Sequence, residues 1–325
     1  MENELCYYCN LSTFKSIIEN QTFWLSDIHF MNDSSEESLF LDALTDVMRN
    51  MQEKLSSSTK QHLNNAKDIY DLFTNIKHVY RNMAYICCFS YEINDDLSQW
   101  RGYANDGKGL CIGFKKEYIE KLSKPSDIKI IKRSENEEPC NTLSEIVFAQ
   151  DKIKYSDKEH ISKEIEETIS PIVKNYDNNE KTGKIIKNFP DIWFYGKLHE
   201  KTYKYKVFYK NNSFESEKEY RICFFDFLHK DKIGKNDNVL MENMQNKYRF
   251  ENGTELSELK YRESREKLIP YREMKFPKDY FKEMLSSITI GPKNPMSEED
   301  VQYFLIANGF DTSNITIQKS ASTYQ

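Results

Sequence analysis

Residues 213–225 read SFESEKEYRICFF, and the alternation inside this stretch is the tightest constraint in the chain. Glu217, Glu219 and Arg221 recur at every second position, with Tyr220, Ile222 and Phe224 as the complementary set. A β-strand has a side-chain period of two, so the pattern predicts one face with two carboxylates and a guanidinium and one apolar face. Such a strand must lie against a core. Its polar face is then either a solvated ionic surface or the wall of a cleft, and the pattern alone allows both.

The core is affordable. Apolar residues make up only 38% of the 325-residue chain, but 14% are aromatic, with 21 Tyr and 20 Phe, and each buried ring removes a large area from water. The length suits one large domain or two ordinary ones. A formal charge of −6 argues against a simple basic nucleic-acid binder and leaves room for a local basic groove. No run approaches the ~20 apolar residues of a membrane span, and the start, MENELCYYCN, has neither the basic residues nor the apolar core of a secretory signal. Cysteines at 6, 9, 87, 88, 111, 140 and 223 fit reduced thiols better than a disulfide framework. The expectation is a cytoplasmic protein without membrane partners.

Along the chain, ELCYYCNLSTFKSIIENQTFWLSD predicts a strand, a helix capped by Asn10 or Ser12, and a second strand. MNDSSEES reads as a loop, after which Phe40, Leu44, Val47, Met51 and Leu55 mark an amphipathic helix, with more helix to about residue 82. MAYICCFS and GLCIGF predict strands on either side of a loop and short helix, YEINDDLSQWRGYANDGKG. The segment from about 141 to 205 reads as mostly helical, with Ile161, Ile165, Ile169 and Val173 at four-residue steps and an interruption at Pro171. YKVFYK returns to strand, 229–265 is polar and irregular, SSITIGP is a strand, SEEDVQYFLIANGF a capped helix and NITIQKS a last strand. These elements predict a single α+β domain over 1–325, with a mixed or antiparallel sheet core and two helical insertions at about 37–82 and 141–205. The insertions could pack on the core or mediate self-association.

Polar residues collect next to four predicted strands, where binding sites usually form. They are Tyr7 and Cys9; Ser26, Asn32, Asp33 and Glu36; Ser90, Asp95, Asp96, Gln99, Trp100, Arg101 and Tyr103; and Glu217, Glu219 and Arg221. Taken singly, Asn-Asp-Ser strings also serve as turns and caps, and Trp100 also suits a core or lid position. The Cys6–Cys9 spacing has no second matching pair, adjacent Cys87 and Cys88 point to opposite strand faces, and the six histidines show no ligand spacing, so no metal is expected. Neither a phosphate loop nor a G-x-S-x-G elbow occurs.

In this order CYYC, FWLSD, NDSSE, CCFS, QWRGYANDGKGLCIGF, EKEYR and ITIGP resemble the bacterial domain of unknown function 2971 family, over residues 5–37, 86–114, 207–226 and 268–320. The layout is also similar to that of ADP-ribosyltransferases, which implies an ADP-ribosyltransferase-like sheet and NAD as substrate. By that resemblance Glu219 stabilises the positive charge that builds on the ribose as the nicotinamide bond breaks, much as in glycoside cleavage. Glu217 orients the acceptor or acts as its base, and Arg221 keeps both carboxylates ionised and in place. Tyr7, Cys9, Ser26, Asn32, Asp33, Ser90, Trp100 and Tyr103 are the implied dinucleotide-binding set. Tyr7 and Cys9 stand where such enzymes commonly have His and Thr; a tyrosine hydroxyl still donates to a ribose, whereas a thiol is a poor replacement. The resemblance implies a toxin or anti-phage effector whose acceptor is a protein, a nucleic acid or water.

Two other readings stay open from the residues. Asp33, Glu36, Asp95, Glu217 and Glu219 could hold Mg²⁺ in a nuclease or phosphoryl hydrolase, although Arg221 on the same face would repel a dication. Alternatively, the acidic strand belongs to a non-catalytic module that senses or binds a ligand.

Overall fold

The computed structural model describes residues 3–31, 35–52, 83–91, 95–122, 129–131, 147–181, 201–202, 205–226, 247–264 and 266–324. The described strands, in chain order, are β1 (Glu4–Cys9), β2 (Thr22–Asp27), β3 (Met83–Tyr91), β4 (Leu110–Lys115), β5 (Lys129–Ile131), β6 (Val147–Lys152), β7 (Lys154–Tyr155), β8 (Tyr209–Lys210) and β9 (Glu219–Asp226). They continue with β10 (Lys247–Arg249), β11 (Glu255–Leu256), β12 (Lys260–Ser264), β13 (Lys267–Lys275), β14 (Leu285–Ile290) and β15 (Thr316–Lys319). The helices are α1 (Leu11–Asn20), α2 (Ser35–Gln52), α3 (Leu97–Tyr103), α4 (Lys116–Glu120), α5 (Lys158–Lys181), α6 (Lys278–Met284) and α7 (Glu298–Ala307). Together they make an α+β fold.

The chain divides into two compact units. The first comprises 1–30, 83–152 and 216–325; the second comprises 31–82 and 153–215, segments that overlap the two expected insertions.

The first unit is built on a 13-stranded sheet whose main path runs β15-β14-β4-β1-β3-β2-β13-β11-β10-β5, with β12 beside β13 and the β9–β6 pair branching from β3. Its pairs are antiparallel except β14 with β15. Strand β1 meets β3 at Leu5–Tyr91 and Cys6–Ser90, while β2 meets the same strand at Ser26–Ile86 and Asp27–Tyr85. Two strands therefore share one edge of β3 and diverge between these points. On the far side β9 runs along β3 from Met83–Asp226 to Ser90–Glu219.

One face of this sheet carries the main core. Phe23 is its hub, with the rings of Phe114, Phe276 and Phe89 at 5.0, 5.1 and 5.4 Å. Edge-to-face pairs of this kind each add about 0.5–1.5 kcal/mol beyond the area they bury. Helix α1 seals the core with Phe14, Ile17 and Ile18, and its N-cap is Asn10, whose side chain accepts from Thr13 N. Helix α7 begins at a capping box between Ser297 and Asp300. Gly109 is required where the loop after α3 crosses β1, because a Cβ there would collide with the Cys9 carbonyl oxygen.

In the second unit α2 buries Phe40, Leu44, Val47 and Met51, and α5 buries Ile161, Ile165, Ile169 and Val173. The α2 and α5 pair is tied by Asp46–Lys158 at 2.7 Å. Pro171 does not interrupt α5, which runs through it to Lys181. Leu55 and the helix expected up to residue 82 lie outside the described residues.

Several expectations are corrected. YKVFYK is not a strand: 205–208 are helical and only Tyr209–Lys210 pair, in parallel with Lys154–Tyr155. Besides α5, the segment 141–205 holds β6, which pairs with β9. The stretch read as irregular holds β10, β11 and β12. Among the described residues no helix is long and apolar enough to cross a membrane, and the described cysteines 6, 9, 87, 88, 111 and 223 are free thiols.

Candidate functional site

Residues directly opposite in a ladder share a face, so the register fixes which side chains meet. Ser90 lies between Cys6 of β1 and Glu219 of β9. Two residues along, Cys88 opposes Arg221, which in turn opposes Asp151 of β6. Ser26 joins the same face through Ile86. Four expected site residues, Ser26, Ser90, Glu219 and Arg221, are thus gathered on the face opposite the main core.

Strand β9 is covered on both sides. Tyr220, Ile222 and Phe224 enter the main core, while Glu219 and Arg221 are 5% and 1% exposed on the other face. Removing two charges from water costs several kcal/mol each, a cost that only close pairing and further hydrogen bonds offset. The pairing is present: Arg221 Nε donates to Glu219 Oε1 at 2.7 Å. The Glu219 carboxylate is therefore held in one orientation next to the Ser90 position, in a nearly dry setting where its field is weakly screened.

Glu217 does not continue the strand. It ends a 3-10 turn, Asn212–Glu217, and Lys218, with φ of 41°, turns the chain before β9 begins. The alternation read from the sequence starts only at Glu219. Glu217 still reaches the neighbourhood through α3: Tyr103 Oη donates to Glu217 Oε1 at 2.7 Å, and Gln99 Nε2 lies 3.5 Å from the Glu217 carbonyl oxygen. Asp96 caps α3 by accepting from Ser98 N and Gln99 N.

Trp100, expected in the dinucleotide pocket, is a core residue instead. It is fully buried in a small cluster with Cys6, Tyr8, Ala104 and Cys111, edge-on to Tyr8 at 4.9 Å, and its indole N–H donates to Asp95 at 2.7 Å. Asp95 also accepts from Ser320 Oγ and from Ala321 N. Tyr8 Oη accepts from the backbone N–H groups of Asp95 and Asp96 at 2.8 and 3.2 Å. These contacts pin α3 on β1 and leave Asp95 a structural group.

Tyr7 and Cys9 belong to the alternate set of β1, with Leu5. Cys9 is part of the main core, and Tyr7 packs against it, with its ring 5.6 Å from Phe89 and 6.3 Å from Phe23. By register they lie on the other side of β1 from Cys6, which opposes Ser90, while the Tyr7 hydroxyl feels Cys88 and Arg262. Burial pushes the Tyr7 phenol well above its ordinary value, with Cys87 and Cys9 adding to the shift, and burial pushes the Cys9 thiol up as well. Asn32 and Asp33 lie outside the described residues, as does the side chain of Glu36. Among the described residues no group of three or more His, Cys, Asp or Glu could hold a metal ion.

Sequence reading missed Arg262. It stands on β12 opposite Ile269, and its Nη2 donates to Ser26 Oγ at 3.3 Å. Its signal was the alternation in KYRES, which places Lys260, Arg262 and Ser264 on one face.

No curated protein and no solved structure matches the chain. A family model described as "Protein of unknown function (DUF2971)" matches residues 99–222. That range takes in α3 and the start of β9, while the resembling segments at 5–37 and 268–320 lie outside it. Residues 99–222, with Gln99, Tyr103, Glu217, Glu219 and Arg221 among them, are thus similar to that family.

Proposed function

We propose that the protein cleaves the nicotinamide–ribose bond of NAD and passes the ADP-ribosyl group to an acceptor, as an ADP-ribosyltransferase or, with water as acceptor, an NAD glycohydrolase. The observation that carries this reading is the Glu219–Arg221 pair at 2.7 Å on a central strand beside Ser90. Bond cleavage builds positive charge on the ribose, and a preorganised carboxylate in a weakly screened site stabilises that charge without reorganising. Arg221 holds Glu219 aimed; Glu217, held by Tyr103 at the mouth of β9, orients an acceptor.

The test is nicotinamide release from NAD by the purified protein, with and without cell extract to supply an acceptor. Glu219→Gln is expected to lose at least ~100-fold, the scale for removing one transition-state stabiliser. Equal release by wild type and variant sinks the assignment.

A second reading is supported by the burial of Glu219, only 5% exposed. In that reading the pair is a fixed part of a binding module, and NAD is held intact. Saturable NAD binding with no nicotinamide release under either condition is its signature.

A further inference from the structure

Arg262 is a guanidinium on this face that pairs with no carboxylate among the described residues. Arg221 has Glu219 at 2.7 Å and Arg249 has Glu255, whereas Arg262 forms no ion pair among the described residues. Its single hydrogen bond is the 3.3 Å contact to Ser26, long for an N–H···O bond. Its Nε is buried and has no hydrogen-bond partner. A guanidinium offers five donors in a planar fork, and a buried donor left unsatisfied costs about 1–3 kcal/mol. A native structure that carries this cost has a use for it, and an unfilled ion or ligand position is a common one.

The surroundings indicate the ligand. Trp24 is 40% exposed, its ring lies 5.9 Å from the Arg262 guanidinium carbon, and it leans on Tyr271 at 4.8 Å. Lys260 on the same face is neutralised by Glu273 at 2.6 Å. The patch thus offers one positive fork without an ion pair among the described residues, one serine hydroxyl and one partly exposed indole. A planar fork matches a phosphate, and an exposed indole matches an aromatic base.

We infer that Arg262, Ser26 and Trp24 form a nucleotide-phosphate subsite, with Arg262 and Ser26 on the phosphate oxygens and Trp24 stacked on the base. The distance to Glu219 extends this inference. Ser26 opposes Ile86 and Glu219 opposes Ser90, on opposite edges of β3. Four residues of rise and two strand spacings put Ser26 and Glu219 about 16 Å apart. One phosphate cannot bridge that span, and an extended dinucleotide can. This last match rests on the transferase reading; the subsite itself does not.

The test is titration of the full chain with ADP-ribose, AMP, adenosine and inorganic phosphate, followed by calorimetry and tryptophan fluorescence. ADP-ribose and AMP are expected to bind and to change the fluorescence, and Trp24→Phe removes that change. Arg262→Gln is expected to weaken AMP about 10–100-fold, the range for hydrogen bonds to a charged group, with its thermal transition unmoved. Arg262→Lys keeps the charge, loses the fork and falls between. Equal AMP affinity in wild type and Arg262→Gln overturns the proposal, as does the absence of saturable binding by any phosphate-bearing probe. Inorganic phosphate or adenosine binding as tightly as AMP overturns the nucleotide assignment. AMP binding that depends on Arg262, together with no nicotinamide release, removes the transferase reading and leaves the subsite standing.

Discussion

Arg221 and Arg262 lie on the same face of one sheet and are treated in opposite ways. Arg221 is sealed from water and bound to a carboxylate two residues away on its own strand. Arg262 is half-buried on the short strand β12, bonded to a neutral serine and set over the Trp24 ring, with a buried Nε that has no hydrogen-bond partner among the described residues. A charge that the fold completes by itself contributes to the fold; a charge that the fold leaves incomplete is available to something else. The two regions should therefore respond differently to substitution, Arg221 mainly in stability and Arg262 mainly in binding.

The sharpest way to break this contrast is Arg221→Met. It leaves the Glu219 carboxylate buried without that partner, and a loss of about 3–5 kcal/mol is expected by urea denaturation. Arg262→Met should change stability by no more than about 0.5 kcal/mol, and equal losses would remove the distinction. Glu219→Gln added to Arg221→Met should recover part of the loss, because the buried carboxylate charge is then removed as well.

Trp100→Phe probes how firmly α3 is fixed next to the first region. The indole N–H bond to Asp95 is buried at 2.7 Å, so a loss of about 1–3 kcal/mol is expected, measured as a lower urea midpoint. AMP affinity, which belongs to the Arg262 region, should be unchanged.

Cys87 and Cys88 report on the two faces directly. Cys87 is buried in the main core and its thiol is pushed up, by desolvation first and by Glu219 second. It stays protonated across neutral pH, and raising the pH to 9 does not activate it, because its folded pKa lies above that range. Cys88, on the Arg221 face, is only partly buried. Mass-spectrometric mapping of alkylation should show Cys88 modified first and Cys87 only after unfolding; the reverse order would reject the face assignment. A small effect is expected for Tyr103→Phe. Its bond to Glu217 is exposed, so stability should fall by no more than about 1 kcal/mol, and nicotinamide release should fall less than in Glu219→Gln.

What the sequence shows and what it hides follow from where the signals are local. Strands β1, β3, β4 and β14, and helices α1 and α7, are legible because their apolar spacing and caps lie within a dozen residues. The strands from β10 to β12 are short and mostly polar, and their propensity signal is weak. Glu217 was placed on the strand because nothing in its type announces the left-handed turn at Lys218. Both alternating sets of LCYYC are apolar or aromatic, so the sequence could not say whether Tyr7 and Cys9 or Cys6 and Tyr8 would face the core. Trp100 lies beside polar residues in the chain and buries itself against residues from β1 and β4. The Glu219–Arg221 pair was readable because a period of two brings them together wherever the strand lies.

The pairing of Ser26 with Tyr271 also bears on how the molecule is made. The carboxylate half of the candidate site needs β3 and β9, but the edge of β2 that carries Ser26 is covered only by β13, and Arg262 itself lies on β12. A chain still being synthesised already contains Glu219 and Arg221 while β2 lacks its neighbour and Arg262 does not yet exist. Contacts this distant in sequence close slowly, after a large loop entropy has been overcome. Until then the waiting edge of β2, TFWLSD, is open to pairing with other chains. Folding is expected to be slow and sensitive to protein concentration, and the finished site to be absent from every nascent chain.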